Sequence, residues 1–192
     1  EAVYNADGRI IGIVGLINDV THRELLQKEL NRLALIDQLT GLKNRNCFLR
    51  DIENFDKTDF PLAFGIIDCN DLKIVNDTYG HEVGDEYIKI AGIVLKLSMP
   101  KSSKIYRIGG DEFIVIGTIQ NEQEVEKYWE KVCAGIEDYN TNHKKHAELS
   151  MSFGYDVFNV DHKTYLEDCI RVTDNKMYEE KNRKKALAGS QN

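Results

Sequence analysis

The feature that most constrains this chain is the apolar run Phe64-Gly65-Ile66-Ile67, which stops abruptly at Asp68 and continues as Cys69, Asn70, Asp71, Leu72 and Lys73. The run reads as a buried strand over 62–68, followed by a tight turn into a helix. A carboxylate at the C-terminal end of such a strand is where α/β folds place ligand groups. Two readings of Asp68 stand side by side at this point: a metal ligand, or the N-cap of the next helix. Lys73, about one helical turn further on, either reaches a phosphate from the same rim or is a solvated surface lysine.

Around this strand the pattern alternates. We expect a helix over 44–54, a short helix over 71–78 and a longer one over 83–97. A strand–turn–strand unit over 105–116, a helix over 122–139, a strand over 148–158 and a last helix over 165–184 follow. That order predicts an α/β (α+β) sandwich, with helices flanking a central mixed sheet. The 192 residues suffice for one core of ordinary size and a short appendage. The appendage reads as a β-hairpin, with Val3 and Tyr4, a turn at Asn5-Ala6-Asp7-Gly8 and an apolar run over 10–17. A lone hairpin is marginal and needs more sheet. Because the chain opens in what reads as mid-strand, we expect an excised piece of a longer protein. Asp19 or Thr21 then caps a helix whose Leu26, Leu30, Leu33 and Ile36 recur at spacings of three and four. It reads either as a signalling helix that pairs with its copy, or as an amphipathic helix packed on its own domain.

A second cluster, Arg107-Ile108-Gly109-Gly110-Asp111-Glu112-Phe113, sets two glycines between strand-forming residues. Glycine tolerates positive φ, so Gly109 and Gly110 suit a tight turn whose bare backbone lets a phosphate approach. The adjacent carboxylates of Asp111 and Glu112 repel one another unless a cation neutralises them, and Mg²⁺ takes such oxygens together with phosphate oxygens. An ordinary polar hairpin tip is the plain alternative. Paired with Asp68 on a neighbouring strand, the cluster reads as a nucleotide–metal site.

Composition narrows the partners. The formal net charge of −7 supplies no global field toward a nucleic-acid backbone or an anionic membrane, so a polyphosphate is held locally, by a metal and a few lysines. Cys47, Cys69, Cys133 and Cys169 form no Cys-x-x-Cys pair, which argues against a zinc or redox motif; free thiols suit a reducing cytosol. No apolar run approaches the roughly 20 residues of a membrane span, and the N-terminus lacks signal-peptide zones. The expectation is a cytoplasmic domain whose full-length parent is free to carry an anchor upstream.

Residues Gly109-Gly110-Asp111-Glu112-Phe113 spell the letters that name the GGDEF family of diguanylate cyclases, and further stretches agree in order. Asp37-Gln38-Leu39-Thr40-Gly41-Leu42-Lys43-Asn44-Arg45 resembles the family's opening DxLTGLxNR. Asn76-Asp77-Thr78-Tyr79-Gly80-His81-Glu82-Val83-Gly84-Asp85 resembles its NDxxGHxxGD. Ser152-Phe153-Gly154 resembles its SxG strand, and 174–181 its DxxxYxxK helix. The resemblance covers roughly 37–185. A shorter one links 3–23, with Asp7-Gly8-Arg9 and Asn18-Asp19-Val20-Thr21, to the closing strands of a PAS sensor. It implies truncated sensor strands over 1–20, a linker helix over 21–36 and a catalytic domain over 37–192.

The family resemblance implies an enzyme that condenses two GTP into cyclic di-GMP plus pyrophosphate, each of two facing domains holding one nucleotide. It implies Mg²⁺, or Mn²⁺ in its place, held by Asp68, Asp111 and the backbone carbonyl of Cys69, with Glu112 completing the acidic site. It assigns Lys73 and Lys181 to the triphosphate, with Lys185 at the position of a family arginine, and Asn76 and Asp85 to guanine. The base-reading pair makes chemical sense, since a carboxylate accepts from the N1 and N2 donors that adenine lacks. Implied partners are GTP, a second copy of the chain and an upstream sensor, with no nucleic acid. Departures exist: Asn70 stands where many members carry an acid, Leu72 replaces a phenylalanine, and Lys185 keeps the arginine's charge without its fork. The product-inhibition motif RxxD would fall on Pro100 and Ser103, so no inhibitory site is expected. The rival reading is a silent GTP-binding regulatory or dimerisation module of the same fold.

Overall fold

The computed structural model of the chain describes residues 2–13, 20–54, 61–119, 121–142, 147–158 and 166–189, without the side chains at 13, 27, 166, 167, 185 and 187–189. The apolar residues after Ile13, the Asp19 cap, Tyr165 and the side chain of Lys185 lie outside what is described. The chain divides into two compact units, Glu1–Leu33 and Ala34–Asn192. No helix among the described residues is long and apolar enough to cross a membrane.

In the first unit β1 (Ala2–Tyr4) pairs antiparallel with β2 (Ile10–Ile13). The turn is built by Asn5, whose Oδ1 accepts from the amides of Asp7 (3.1 Å) and Arg9 (2.8 Å), and by Gly8 at φ 78°. Helix α1 (Thr21–Leu35) exposes Leu25, Leu26, Leu30 and Leu33.

The second unit contains β3 (Lys43–Asn44), α2 (Arg45–Glu53), β4 (Leu62–Cys69), α3 (Leu72–Tyr79) and α4 (His81–Ser98). There follow β5 (Lys104–Arg107), β6 (Glu112–Gly117), α5 (Glu122–Asn142), β7 (Met151–Phe158) and α6 (Leu166–Gly189). The strands form one sheet in the order β3-β5-β6-β4-β7, parallel between β3 and β5 and antiparallel elsewhere, which makes it mixed as expected. Strand β4 sits between β6 and β7 and every one of its residues is buried. Because side chains alternate, Ala63, Ile67 and Cys69 enter one cluster with Ile88 and Leu95 of α4 and Trp129 of α5. Phe64 and Ile66 enter the other, with Phe48 of α2 and Met177 of α6. Apolar side chains on both faces are why the run reads as continuous rather than alternating.

Several boundaries differ from the sequence reading. A two-residue strand, β3, lies before α2; Ile36 leaves the helical stripe for an isolated bridge to Lys43. Strand β7 begins at Met151 rather than near 148, because other groups take the backbone before it: Asn140 holds both the N–H (2.7 Å) and the C=O (2.9 Å) of Leu149.

Helix α6 meets β7 at Gly154. A Cβ there would lie 2.1 Å from the Thr173 carbonyl oxygen and 2.3 Å from the Met177 nitrogen, so only glycine admits the helix backbone this close. Strand β7 is an edge of the sheet, and α6 helps to cover it. Glu180 accepts from the Phe153 amide, and Lys184 donates to the Met151 carbonyl while pairing with Glu180 (3.1 Å).

On the opposite side, Asp51 of α2 collects Lys43 (3.0 Å), Arg50 (3.1 Å), Lys104 (3.4 Å) and the Tyr106 hydroxyl (2.9 Å). Burial alone would push its carboxyl up, yet the bonds from Lys43, Tyr106 and Arg50 outweigh burial and hold it well below the ordinary range. A carboxyl depressed in the folded state stabilises above its unfolded pKa, about 4, and loses that contribution as pH falls further. Asp51→Asn is therefore expected to cost about 1–3 kcal/mol at pH 7 and to flatten the fall of stability between about pH 4 and pH 2, read by urea denaturation at each pH. An unchanged acid slope in that variant would count against this assignment.

Candidate functional site

The site lies where β4 ends and β6 begins. Asp68 pairs in register with Glu112 across the two strands, and the Cys69 amide donates to the Asp111 carbonyl (2.9 Å). One strand end and one turn thus bring Asp68, Cys69, Asp111 and Glu112 together, as the motif spacing implied. The helix-cap reading of Asp68 fails: the N-cap of α3 is Asp71, which makes no side-chain capping bond. Lys181 of α6 joins the cluster, its Nζ 2.6 Å from Asp68 Oδ1.

Electrostatics follow from the crowding. The Glu112 carboxyl is pushed up, first by desolvation and then by Asp111, Asp68 and Asp174, with Lys181 opposing. Burial first, and then the Asp68 and Asp111 carboxylates, push the Cys69 thiol far up; its sulfur stays neutral and only its backbone is suited to a hard cation. Among the described residues no three Asp, Glu, His or Cys side chains converge as a closed metal cage. A hard divalent ion such as Mg²⁺ does not need one, because it binds through one or two carboxylates with phosphate oxygens and water. An all-oxygen donor set with an ammonium already drawn onto its most buried carboxylate fits such an ion.

The glycine turn works differently from expectation. Neither Gly109 nor Gly110 is among the residues with positive φ. The loop is held instead by Arg107, whose Nε donates to the Gly109 carbonyl (3.1 Å) and whose NH2 donates to that of Gly110 (2.8 Å). Its NH1 lies 3.1 and 3.2 Å from the two oxygens of Asp37, one charged nitrogen shared between both. Asp37 Oδ1 also accepts from the Thr40 amide (2.9 Å) and hydroxyl (2.7 Å). Burial raises the Asp37 carboxyl, but the bonds from Thr40 and Arg107 together hold it below the ordinary range. The opening motif therefore fixes the glycine turn through one guanidinium. Sequence reading quoted Asp37 and Arg107 without assigning them this role.

On the other rim, Lys73 stands exposed in the first turn of α3. Asn76 lies over Gly84: a Cβ at that glycine would come 1.9 Å from Asn76 Oδ1. The next residue, Asp85, is exposed. The structure therefore brings the proposed base-reading pair to one helix junction. Helix α6 carries Lys185 in its backbone path.

Asn70, unassigned at the sequence level except as a departure, is the hub of a buried network. Its Nδ2 donates to Ser150 Oγ (2.8 Å), its Oδ1 accepts from Ser152 Oγ (3.0 Å), and its amide donates to the Ser150 carbonyl (2.9 Å). The Tyr87 hydroxyl accepts from the Ser150 amide (2.9 Å) and shares its proton between the carbonyls of Asn70 (3.0 Å) and Ser150 (3.1 Å). The following residue, Asp71, is left-handed at φ 58°, an unfavourable conformation for a residue with a Cβ. The network pins the strained turn that carries the chain from Asp68 into α3.

Residues 34–186 match the family model described as diguanylate cyclase, GGDEF domain. Diguanylate cyclase DosC of Escherichia coli (strain K12) is 32% identical over 167 residues, covering 84% of this chain and 36% of that protein. Cyclic di-GMP phosphodiesterase PdeB of Shewanella oneidensis is 29% identical over 157 residues, 79% of this chain and 18% of that protein. The chain thus spans 36% and 18% of the lengths of these relatives. Among solved structures, the coiled coil and GGDEF domain of DgcB from Caulobacter crescentus in complex with c-di-GMP has TM-score 0.75 at 19% identity, covering 85% of this chain and 89% of that one. Diguanylate cyclase SiaD of Pseudomonas aeruginosa, in complex with its activator SiaC, has TM-score 0.71 at 19% identity, covering 84% and 64%. At that identity the likeness is one of fold.

Tyr87→Phe leaves the Ser150 amide without its acceptor and should cost about 1–3 kcal/mol of unfolding free energy. Because Tyr87 and Asn70 share Ser150, the Asn70→Ala/Tyr87→Phe pair should be non-additive by at least ~0.5 kcal/mol in a double-mutant cycle. Strict additivity would mean that the network does not act as one unit.

Proposed function

This chain belongs to the GGDEF-domain family of diguanylate cyclases, and on that premise we propose that its catalytic part condenses two GTP into cyclic di-GMP and two pyrophosphates. The observation that carries the reading is the in-register pair Asp68 and Glu112, with Asp111 beside them and a lysine ammonium on Asp68. In each of two facing half-sites, a ribose 3′-hydroxyl oxygen bonds to the α-phosphorus of the opposite nucleotide and the bond to the β-phosphate's bridging oxygen breaks. Pyrophosphate leaves and the hydroxyl proton passes to a base. We assign that role to Glu112, whose carboxyl is raised above its ordinary value by desolvation and then by Asp111, Asp68 and Asp174. Asp68, Asp111 and the Cys69 carbonyl would hold the divalent cation, which when bound offsets charge on the phosphates. Lys73 and Lys181 would bind the triphosphate, with Lys185 at the family arginine position. Gly109 and Gly110 would leave the approach to the phosphates unobstructed, since a Cβ at Gly110 would meet nothing within 4 Å.

Asp85 would accept from the guanine N1 and N2 donors while Asn76 meets its acceptors. Gly84 supports this pairing by leaving room for the Asn76 amide. We assign the exposed leucines of α1 to pairing with a second copy, and place the whole in the cytoplasm as the output of an upstream sensor, with sensor strands over 1–20, linker helix over 21–36 and catalytic domain over 37–192. Feedback inhibition through the 100–103 turn is not expected, because Pro100 and Ser103 are joined there by a backbone hydrogen bond (2.9 Å) and neither offers a charge.

The test is direct: incubate the purified chain with GTP and Mg²⁺ and resolve the nucleotides by chromatography and mass spectrometry. Cyclic di-GMP and pyrophosphate are expected, specific activity should fall on hundredfold dilution as a micromolar dimer dissociates, and Asp111→Ala should lower turnover at least ~100-fold. GTP binding with no product over the whole concentration range would establish the silent module instead.

A further inference from the structure

Lys181 is placed with more care than a mobile surface lysine. Gly154 admits α6 onto β7, and the neighbours of Lys181 along the helix lock it there, Glu180 on the Phe153 amide and Lys184 on the Met151 carbonyl. The backbone under Lys181 is thereby fixed, while its four-carbon stem can swing a compact charge between positions several ångströms apart. Its ammonium lies on Asp68 Oδ1 at 2.6 Å, with only 10% of the Asp68 side chain exposed. That is the same carboxylate which, on the reading above, a divalent cation would take. Two cations drawn onto one buried carboxylate repel, so each weakens the hold of the other.

We propose that Lys181 is an exchangeable counter-ion: it neutralises Asp68 in the empty site and turns to the triphosphate when a divalent cation takes that carboxylate, so that metal and nucleotide enter the site as one cooperative unit. The inference rests on the GTP and metal reading of the site and adds its order of assembly. Without nucleotide, a cation at Asp68 has to break the ion pair with the Lys181 ammonium. With nucleotide, the phosphates accept that ammonium and the loss is made good. Linkage requires the converse: the cation must strengthen nucleotide binding by the same factor. The acids around Glu112 give Lys181 a second reason to stay until replaced, since it is the charge that opposes them. The empty site is thereby kept from trapping a cation in a geometry without substrate.

The experiment titrates the full chain with Mn²⁺, following the free ion by electron paramagnetic resonance, with and without a non-hydrolysable GTP analogue. In the unmodified chain the analogue should tighten Mn²⁺ binding at least ~10-fold, within the usual range of coupling between sites. Lys181→Gln should bind Mn²⁺ roughly 5–10-fold tighter than the unmodified chain without nucleotide, and the analogue should then tighten it by a smaller factor than in the unmodified chain. Lys181→Met serves as a second variant with the same expectation, and thermal unfolding confirms that both are folded. If Mn²⁺ binds and Asp68→Asn abolishes it, yet neither Lys181 variant binds more tightly without nucleotide, the exchange is overturned while the metal reading stands. If the unmodified chain binds no Mn²⁺ in either condition, the metal reading falls and the exchange with it.

Discussion

A carboxylate at the end of a strand buried on both faces has to be matched by positive charge, and much of the GGDEF domain's architecture meets that requirement at Asp68. The residue is 7% exposed, where an unpaired ion would cost several kcal/mol. The cation comes from 113 residues further along the chain. Its delivery depends on Gly154, since any side chain there would hold α6 away from β7 and carry Lys181 off with it. The same docking covers part of the open edge that β7 would otherwise present, because Glu180 and Lys184 take two of its backbone groups. Fold stability and the charge balance of the site therefore rest on one close contact.

The opposite wall is organised by the same logic with the signs exchanged. Arg107 gathers the two glycine carbonyls and is itself held by Asp37, so the turn bearing Asp111 is positioned from the start of the domain. Asn70 does the equivalent for the turn after Asp68, using neutral hydrogen bonds to Ser150 and Ser152. A second acid at Asn70 would add charge beside a cluster that already raises Glu112. An amide supplies both a donor and an acceptor to the two hydroxyls without that penalty.

This contrast explains what the sequence disclosed. The strand ending in Asp68, the acids after the glycine pair and the order of helices and strands were legible, because each is a local pattern of apolar period or adjacent charge. The short strand β3 was not, since two residues carry no period. The anchoring of Arg107 by Asp37 and the role of Asn70 were not legible either, because those partners lie 70 and 80–82 residues away and nothing local marks the pairing. Gly109 and Gly110 misled for a related reason. A glycine pair suggests left-handed backbone, whereas neither residue adopts it and what holds the turn is a guanidinium on its carbonyls.

Burial is graded across the site, and the gradient suits the chemistry proposed for it. Asp68 and Asn70 are buried and Lys181 is a quarter exposed, while Glu112, Gly110, Lys73 and Asp85 are open to solvent. Groups that must keep a fixed geometry, the strand-end carboxylate and its supporting turn, are those denied water, where hydrogen bonds and ion pairs are strongest. Groups proposed to meet the polyanionic nucleotide are on the rim. A site closed on both sides would bind one nucleotide well and exclude a second. An open rim beside a rigid acidic floor leaves the reacting face of a bound nucleotide accessible, and a reaction between two nucleotides then needs only another such face brought opposite.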